Sequence, residues 1–177
     1  MKNLYLPITA LLLLVSSAFV FMPVQDWKIG SGYSIKFKSK DPSGTFNVKG
    51  TIKLDESNLA GSSIDLTFPV SSIKTGNGMR DKKAQTSEWF NAAKYPNIEF
   101  SSSKIEKSEN GYTVTGTLNI KGTKKEKYIP MKITQSGAEK TLSGTFTVNR
   151  IYYKVGKESK TVPNTMNIEY SIPITKN

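Results

Sequence analysis

In run after run of this chain, apolar residues fall at every second position. Phe46, Val48, Ile52 and Leu54 share one face of a stretch whose other face carries Thr45, Asn47, Lys49, Thr51 and Lys53. Alternation of this kind puts one face of an extended strand against a core and the other in water, which rules out a helical fold for these segments. It recurs in Tyr33, Ile35 and Phe37, in Ile64, Leu66, Phe68 and Val70, and in Tyr112, Val114, Leu118 and Ile120. Leu142, Phe146 and Val148 repeat it, as do Met166, Ile168, Tyr170, Ile172 and Ile174. With Ile98, Phe100 and Ile105, and with residues 128–133, this predicts about eight strands. Turn signals such as Lys40-Asp-Pro-Ser-Gly44, Ser108-Glu-Asn-Gly111 and Ser136-Gly137 keep most connections short. Such a chain is an antiparallel sandwich or a closed barrel, and 177 residues make one domain of it.

Three glycines, Gly50, Gly116 and Gly144, stand in the apolar rows. They fit an elongated apolar cavity, where a side chain is missing from the interior. They fit equally well a solid core around which glycines let the strands bend.

The N-terminus has another character. Lys2 is followed by apolar residues over 10–15 and 18–22, with no acidic residue before Asp26. That arrangement predicts a signal peptide over residues 1–18, cleaved after Ala18, and a mature domain over 19–177; an uncleaved anchor is the alternative. The expected location is the periplasm or another exported site. The chain has no cysteine, which excludes a lipoprotein anchor and any disulfide, and no histidine. The usual zinc, copper and haem ligand sets and the His-dependent nucleophile pairs are therefore unavailable, and no cofactor or metal is expected. The formal charge is +11, and of 25 basic residues only Arg80 and Arg150 are arginine. Scattered lysines suit a solvated coat or weak contact with an anionic membrane surface. They do not suit nucleic acid, for which basic groups would cluster with stacking aromatics. Residues 121–127, Lys-Gly-Thr-Lys-Lys-Glu-Lys, are expected to be a charged hairpin loop, either simply solvated or docking on an anionic membrane surface to collect or deliver lipid.

Residues 74–100 are the long stretch that does not alternate. Placed inside an all-β chain, such an insertion is expected to plug or cap what the sheet encloses. Its residues also carry a resemblance. Ser72-Ile-Lys-Thr-Gly-Asn-Gly-Met-Arg-Asp81, Ser87-Glu-Trp-Phe90 and Lys94-Tyr-Pro-Asn-Ile-Glu-Phe-Ser-Ser102 are similar to the spaced motifs of the YceI family. Val114-Thr-Gly-Thr-Leu-Asn-Ile-Lys-Gly122 and the Asn149-Arg150 pair resemble later motifs of that family. The resemblance implies an all-β fold, a lipocalin-like antiparallel β-barrel of about eight strands with a short helical segment near its mouth. It also implies a long isoprenoid guest, a polyprenyl phosphate or a quinone tail. Where many members have histidine, this chain has Lys83 and Lys121, so no role of a histidine carries over, and a permanent cation suits an anionic head better than a neutral quinone.

The leading expectation is an exported, non-catalytic carrier of an isoprenoid or similar long-chain lipid. An envelope stress or structural protein that binds anionic surfaces through its lysines, without a specific lipid, is the alternative. An enzyme using the carboxylate of Asp81 or Glu88 lacks a convincing partner carboxylate. Candidates for the ligand head are Arg80, Asp81 and Arg150. For Arg80 and Arg150 a structural ion pair is the competing role, and for Asp81 it is capping the helix. The apolar cavity candidates are Phe37, Phe46, Val48, Ile52, Leu66, Phe68, Trp89, Phe90, Phe100, Val114, Leu118, Phe146 and Ile168. Trp89, Phe90 and Tyr95 are most simply the packing face of the plug, and line the path of a tail only if the barrel is hollow.

Overall fold

The structure, a computed structural model, describes residues 24–176, so the segment read as an export signal lies outside the described residues. The strands are β1 (Asp26–Ile29), β2 (Ser34–Lys38), β3 (Gly44–Phe46), β4 (Lys49–Lys53) and β5 (Ser63–Pro69). After a short helix, α1 (Gly78–Ala84), come β6 (Asn97–Ser108), β7 (Gly111–Ile120), β8 (Thr123–Ser136), β9 (Glu139–Asn149) and β10 (Thr165–Lys176). All pairings are antiparallel. The order runs β1, β4, β5, β6, β7, β8, β9, β10 and returns to β1.

Ten strands make a ring of eight because two wall strands are broken. β1 and β2 both lie on β10, through Ile29↔Ile174 and Ser34↔Ser171. β3 and β4 follow the same break, with Ile35↔Phe46 on one side of it and Trp27↔Ile52 on the other. The expected barrel of about eight strands is thus present.

One end of the barrel is solid. Ile52, Leu54, Ile64, Leu142, Ile172 and Ile174 are buried there, and Trp27 donates its indole N–H to Leu54 O at 3.0 Å. Each such aliphatic side chain contributes about 1.5–3 kcal/mol of burial. The three glycines do not line the cavity at the other end; each is a place of close approach by a neighbouring strand. A Cβ at Gly116 would lie 2.6 Å from the Phe100 ring, and one at Gly144 would lie 2.8 Å from the Tyr170 hydroxyl. At Gly50, where φ is +152°, it would lie 2.9 Å from Leu66 Cα. Neighbouring backbone and aromatic rings fill the space each glycine leaves. Of the two sequence readings, the glycines serve strand packing and bending.

Residues 121–127 do not form the expected charged loop. The β7–β8 connection is a two-residue turn, Lys121-Gly122, with φ of 50° and 75°, and the ladder resumes at Ile120↔Thr123. Positive φ at both central residues matches the twist of a tight hairpin, so Lys124, Lys125 and Lys127 are strand residues rather than loop residues.

At the solid end, Glu56 accepts hydrogen bonds from Lys140 and, at 2.8 Å, from the Tyr112 hydroxyl. The Lys140 hydrogen bond, followed by that of Tyr112, holds the Glu56 carboxyl below its usual range. A carboxyl depressed on folding contributes stability above its unfolded pKa and loses it as pH falls through the folded value. Acid unfolding profiles of Glu56→Gln and the parent should therefore differ most near neutral pH and converge below about pH 4.

Candidate ligand-binding site

Residues 74–100 close the other end. Asn77 caps α1, its side-chain oxygen accepting from Met79 N at 3.0 Å and Arg80 N at 3.2 Å. Asp81, for which helix capping was the competing role, instead accepts from the backbone N–H of Thr75 at 2.8 Å and its hydroxyl at 2.7 Å. The Thr75 side-chain hydrogen bond, then its backbone one, holds the Asp81 carboxyl below the usual range. The Gly-Asn-Gly turn supplies the extended Asn77 and the tight loop that carry both contacts.

Arg80 forks onto Asp41 through Nη1 at 2.6 Å and Nη2 at 3.0 Å, tying the helix to the β2–β3 loop. Both side chains are about half exposed. Exposed ion pairs are worth at most about 1 kcal/mol, so Arg80→Ala is expected to lower stability by no more than that in chemical denaturation.

Arg150 is only 4% exposed and, among the described residues, faces no carboxylate within salt-bridge distance. Its Nε donates to Pro163 O at 2.9 Å, Nη1 to Val155 O at 2.9 Å, and Nη2 to Val162 O at 2.8 Å and Asn164 Oδ1 at 3.2 Å. Its guanidinium carbon lies 5.4 Å from the centre of the Trp89 ring. Burial pulls its pKa down from the ordinary value. Arg150 thereby folds residues 150–164 into a second cover beside the plug. Lys121 joins the two covers, its ammonium donating to Ser87 O, Glu88 O and Lys154 O at 3.0, 3.2 and 2.8 Å.

Beneath the covers lies a cavity of about 440 Å³. Phe37, Phe46, Phe68, Leu118, Phe146 and Ile168 line it from the strands, and Trp89 and Phe90 from the plug. The rings of Phe37 and Phe46 lie 5.7 Å apart and those of Phe46 and Phe90 6.0 Å apart, a continuous aromatic wall. Val48, Ile52, Leu66, Phe100 and Val114, also named from the sequence, lie in the packed core and not on the cavity. Parity gives the face of a strand but not the level along the barrel, and these five sit at the filled level. Tyr95 packs over Gly122. Sequence reasoning missed Ile35, Ile73, Ile98, Ile120, Val148 and Met166 as lining residues, and Val155 and Val162 from the second cover. Ile35, Ile98, Ile120, Val148 and Met166 stand in the alternating rows, so their signal was present. Ile73, Val155 and Val162 lie outside those rows and carry none.

The polar part of the lining is confined to the rim: Arg80, Asp41, Lys83, Thr75 and Thr161, with Arg150 turned onto its own loop. Among the described residues no group of three metal-ligating side chains converges. None of the described helices is long and apolar enough to cross a membrane.

A closed antiparallel barrel, filled at one end and hollow beneath an aromatic plug at the other, defines a small β-barrel with a pocket suited to an apolar guest. Residues 27–174 match the description "YceI-like domain", and the chain belongs to the YceI family. A UPF0312 protein of Yersinia enterocolitica is 33% identical over 95 residues, 53% of this chain and 50% of that protein. The chain spans about half the length of the first curated relatives it matches. Among solved structures, BcnA of Burkholderia cenocepacia is similar with a TM-score of 0.75 and 26% identity, over 82% of this chain and 99% of that one. A polyisoprenoid binding domain from Saccharophagus degradans has the same fold, with a TM-score of 0.65 at 12% identity, covering 87% of this chain and 99% of that one.

Proposed function

We propose that this protein is a non-catalytic carrier, acting in the cell envelope after export, that holds an isoprenoid or similar lipid with its tail in the cavity and its head at the rim. The carrying observation is the distribution of polarity: aromatic and aliphatic side chains line the interior, and of the charged groups among the described lining residues Asp41, Arg80 and Lys83 stand at the mouth while the buried Arg150 is bonded to its own loop. The polyisoprenoid binding of the Saccharophagus domain, whose fold this chain shares, supports the reading. Each methylene moved from water into such a site contributes about 0.8 kcal/mol. At the rim, the Lys83 ammonium has no hydrogen-bond or ion-pair partner among the described residues and stands near an Arg80 that Asp41 already engages, so the guest's head meets one unpaired and one shared cation.

The volume limits the tail. About 440 Å³ falls in the lower part of the range of small-ligand pockets. At about 30 Å³ per methylene- or water-sized group it encloses on the order of fifteen such groups. A longer isoprenoid would be held by one end. A series of isoprenoid alcohols and phosphates of increasing length, read by thermal shift, tests this. The shift should grow up to about 15–20 carbons and then level off. At a hundredfold excess over Kd it corresponds to about 2.7 kcal/mol, or roughly 5–11 °C. Phosphates should exceed alcohols of equal length. A flat response along the series would overturn the carrier reading.

A further inference from the structure

The ring of strands is not zipped along its whole length. The β8–β9 ladder runs only from Ser136↔Glu139 to Lys132↔Ser143. On either side the neighbouring ladders continue to the mouth, β7–β8 as far as Ile120↔Thr123 and β9–β10 as far as Thr165↔Asn149. Residues 123–131 and 144–149 therefore border a slot in the barrel wall that begins at the rim. Two side chains reach into it: Lys127 donates to Thr147 O at 2.9 Å, and the Tyr170 hydroxyl donates to Pro130 O at 2.7 Å.

The slot coincides with the hollow level. β7 and β9 both line the cavity, through Leu118 and Ile120 and through Phe146 and Val148, whereas β8 between them contributes nothing. On β8 the residues paired with Leu118 and Gly116 are Lys125 and Lys127, so lysines stand where the alternating pattern calls for interior residues. Their neighbour Lys124 is exposed, and the carboxylate of Glu126 is hydrogen-bonded by Tyr128. Of the three large apolar side chains that are exposed among the described residues, two flank the slot: Tyr128 and Tyr152, each 65% exposed. The Lys125 ammonium lies 5.7 Å from the centre of the Tyr152 ring.

Lysines interleaved with exposed tyrosines suit the headgroup region of an anionic bilayer, where ammonium groups meet lipid phosphates and amphipathic rings settle at the interface. We infer that the β8–β9 slot is a side portal that docks on an anionic membrane through Lys124, Lys125, Lys127, Tyr128 and Tyr152, and through which a lipid passes between bilayer and cavity. The passage of lipid rests on the carrier reading; the docking does not. Inward-pointing lysines also guard an open strand edge against pairing with another chain. Glutamate serves that purpose equally well, so reversing the sign separates the two roles.

The test compares the parent with Lys124→Glu/Lys125→Glu/Lys127→Glu and with a control of equal charge change on the opposite wall, Lys28→Glu/Lys49→Glu/Lys53→Glu. Melting temperatures within a few degrees of the parent's show that both are folded. Each protein is sedimented with phosphatidylcholine vesicles, with and without phosphatidylglycerol. The slot variant should lose roughly 100-fold in partitioning onto the phosphatidylglycerol vesicles, and the control only a few-fold. Tyr128→Ala/Tyr152→Ala should lower partitioning further at high salt, where the lysine contribution is screened. Equal losses in both triple variants, or no loss in either, would overturn the proposal. So would protection of the β8 and β9 amides from hydrogen exchange by an added extended peptide but not by vesicles. Transfer of a fluorescent isoprenoid phosphate from vesicles should slow in the slot variant. If the parent takes up that probe from neither vesicles nor detergent, the carrier reading fails, while the sedimentation comparison still decides the docking.

Discussion

Replacing Arg150 by alanine is expected to lower unfolding stability by at least about 3 kcal/mol and the melting temperature by roughly 6–12 °C, the largest single loss for any rim residue. The guanidinium is buried and gives three of its groups to the carbonyls of Val155, Val162 and Pro163 and to the Asn164 side chain. Truncation leaves the buried Val155 carbonyl without a donor, at about 1–3 kcal/mol, strips three part-buried acceptors of theirs at a smaller cost each, and removes the surface on which Trp89 stacks. Arg150→Lys should recover only part of the loss, because an ammonium cannot span three diverging carbonyls. Denaturation of the two variants against the parent measures this, and hydrogen exchange over residues 150–164 should rise in both. Had Arg150 been held free for a ligand head, the alanine variant would keep its stability and lose only binding.

The second large effect concerns the two halves of the barrel. Ile168→Trp places added volume in the cavity, and Val114→Trp places it in the packed end. The first is expected to leave stability within about 1 kcal/mol of the parent while weakening an apolar guest. The added volume takes the room of about two methylenes, which costs roughly 1.6 kcal/mol, a factor of about 15 in Kd. The second should destabilise by about 1–3 kcal/mol or more, because overpacking a full core forces side chains off their rotamers. Chemical denaturation with and without ligand separates the two outcomes.

Alternation makes the strands and their inward faces legible in the amino-acid order alone, since a period of two admits no other reading over so many runs. The level along the barrel is not legible there. Phe46 and Val48 share a face and a strand run, yet Phe46 lines the cavity and Val48 is core. The difference lies in how far each stands from the plug, a distance set by barrel shear and not by local sequence. Gly116 and Gly144 mislead for a related reason. A missing side chain in an apolar row looks like empty space until the neighbouring strand supplies Phe100 or Tyr170 to fill it. The two-residue turn at Lys121-Gly122 hides among lysines because its conformation depends on φ, which charge does not reveal. The slot in the wall is beyond sequence altogether, since pairing between β8 and β9 is a long-range outcome.

As a carrier, this barrel is expected to hold one apolar lipid in its hollow end. Native mass spectrometry of the protein purified without detergent, followed by fragmentation of what is released, tests it most directly. The expected spectrum shows a one-to-one complex with a lipid of the isoprenoid class, and the complex is depleted in Ile168→Trp while the fold persists. A folded parent protein that carries no lipid, and that takes none up from a mixed isoprenoid extract, would contradict this expectation.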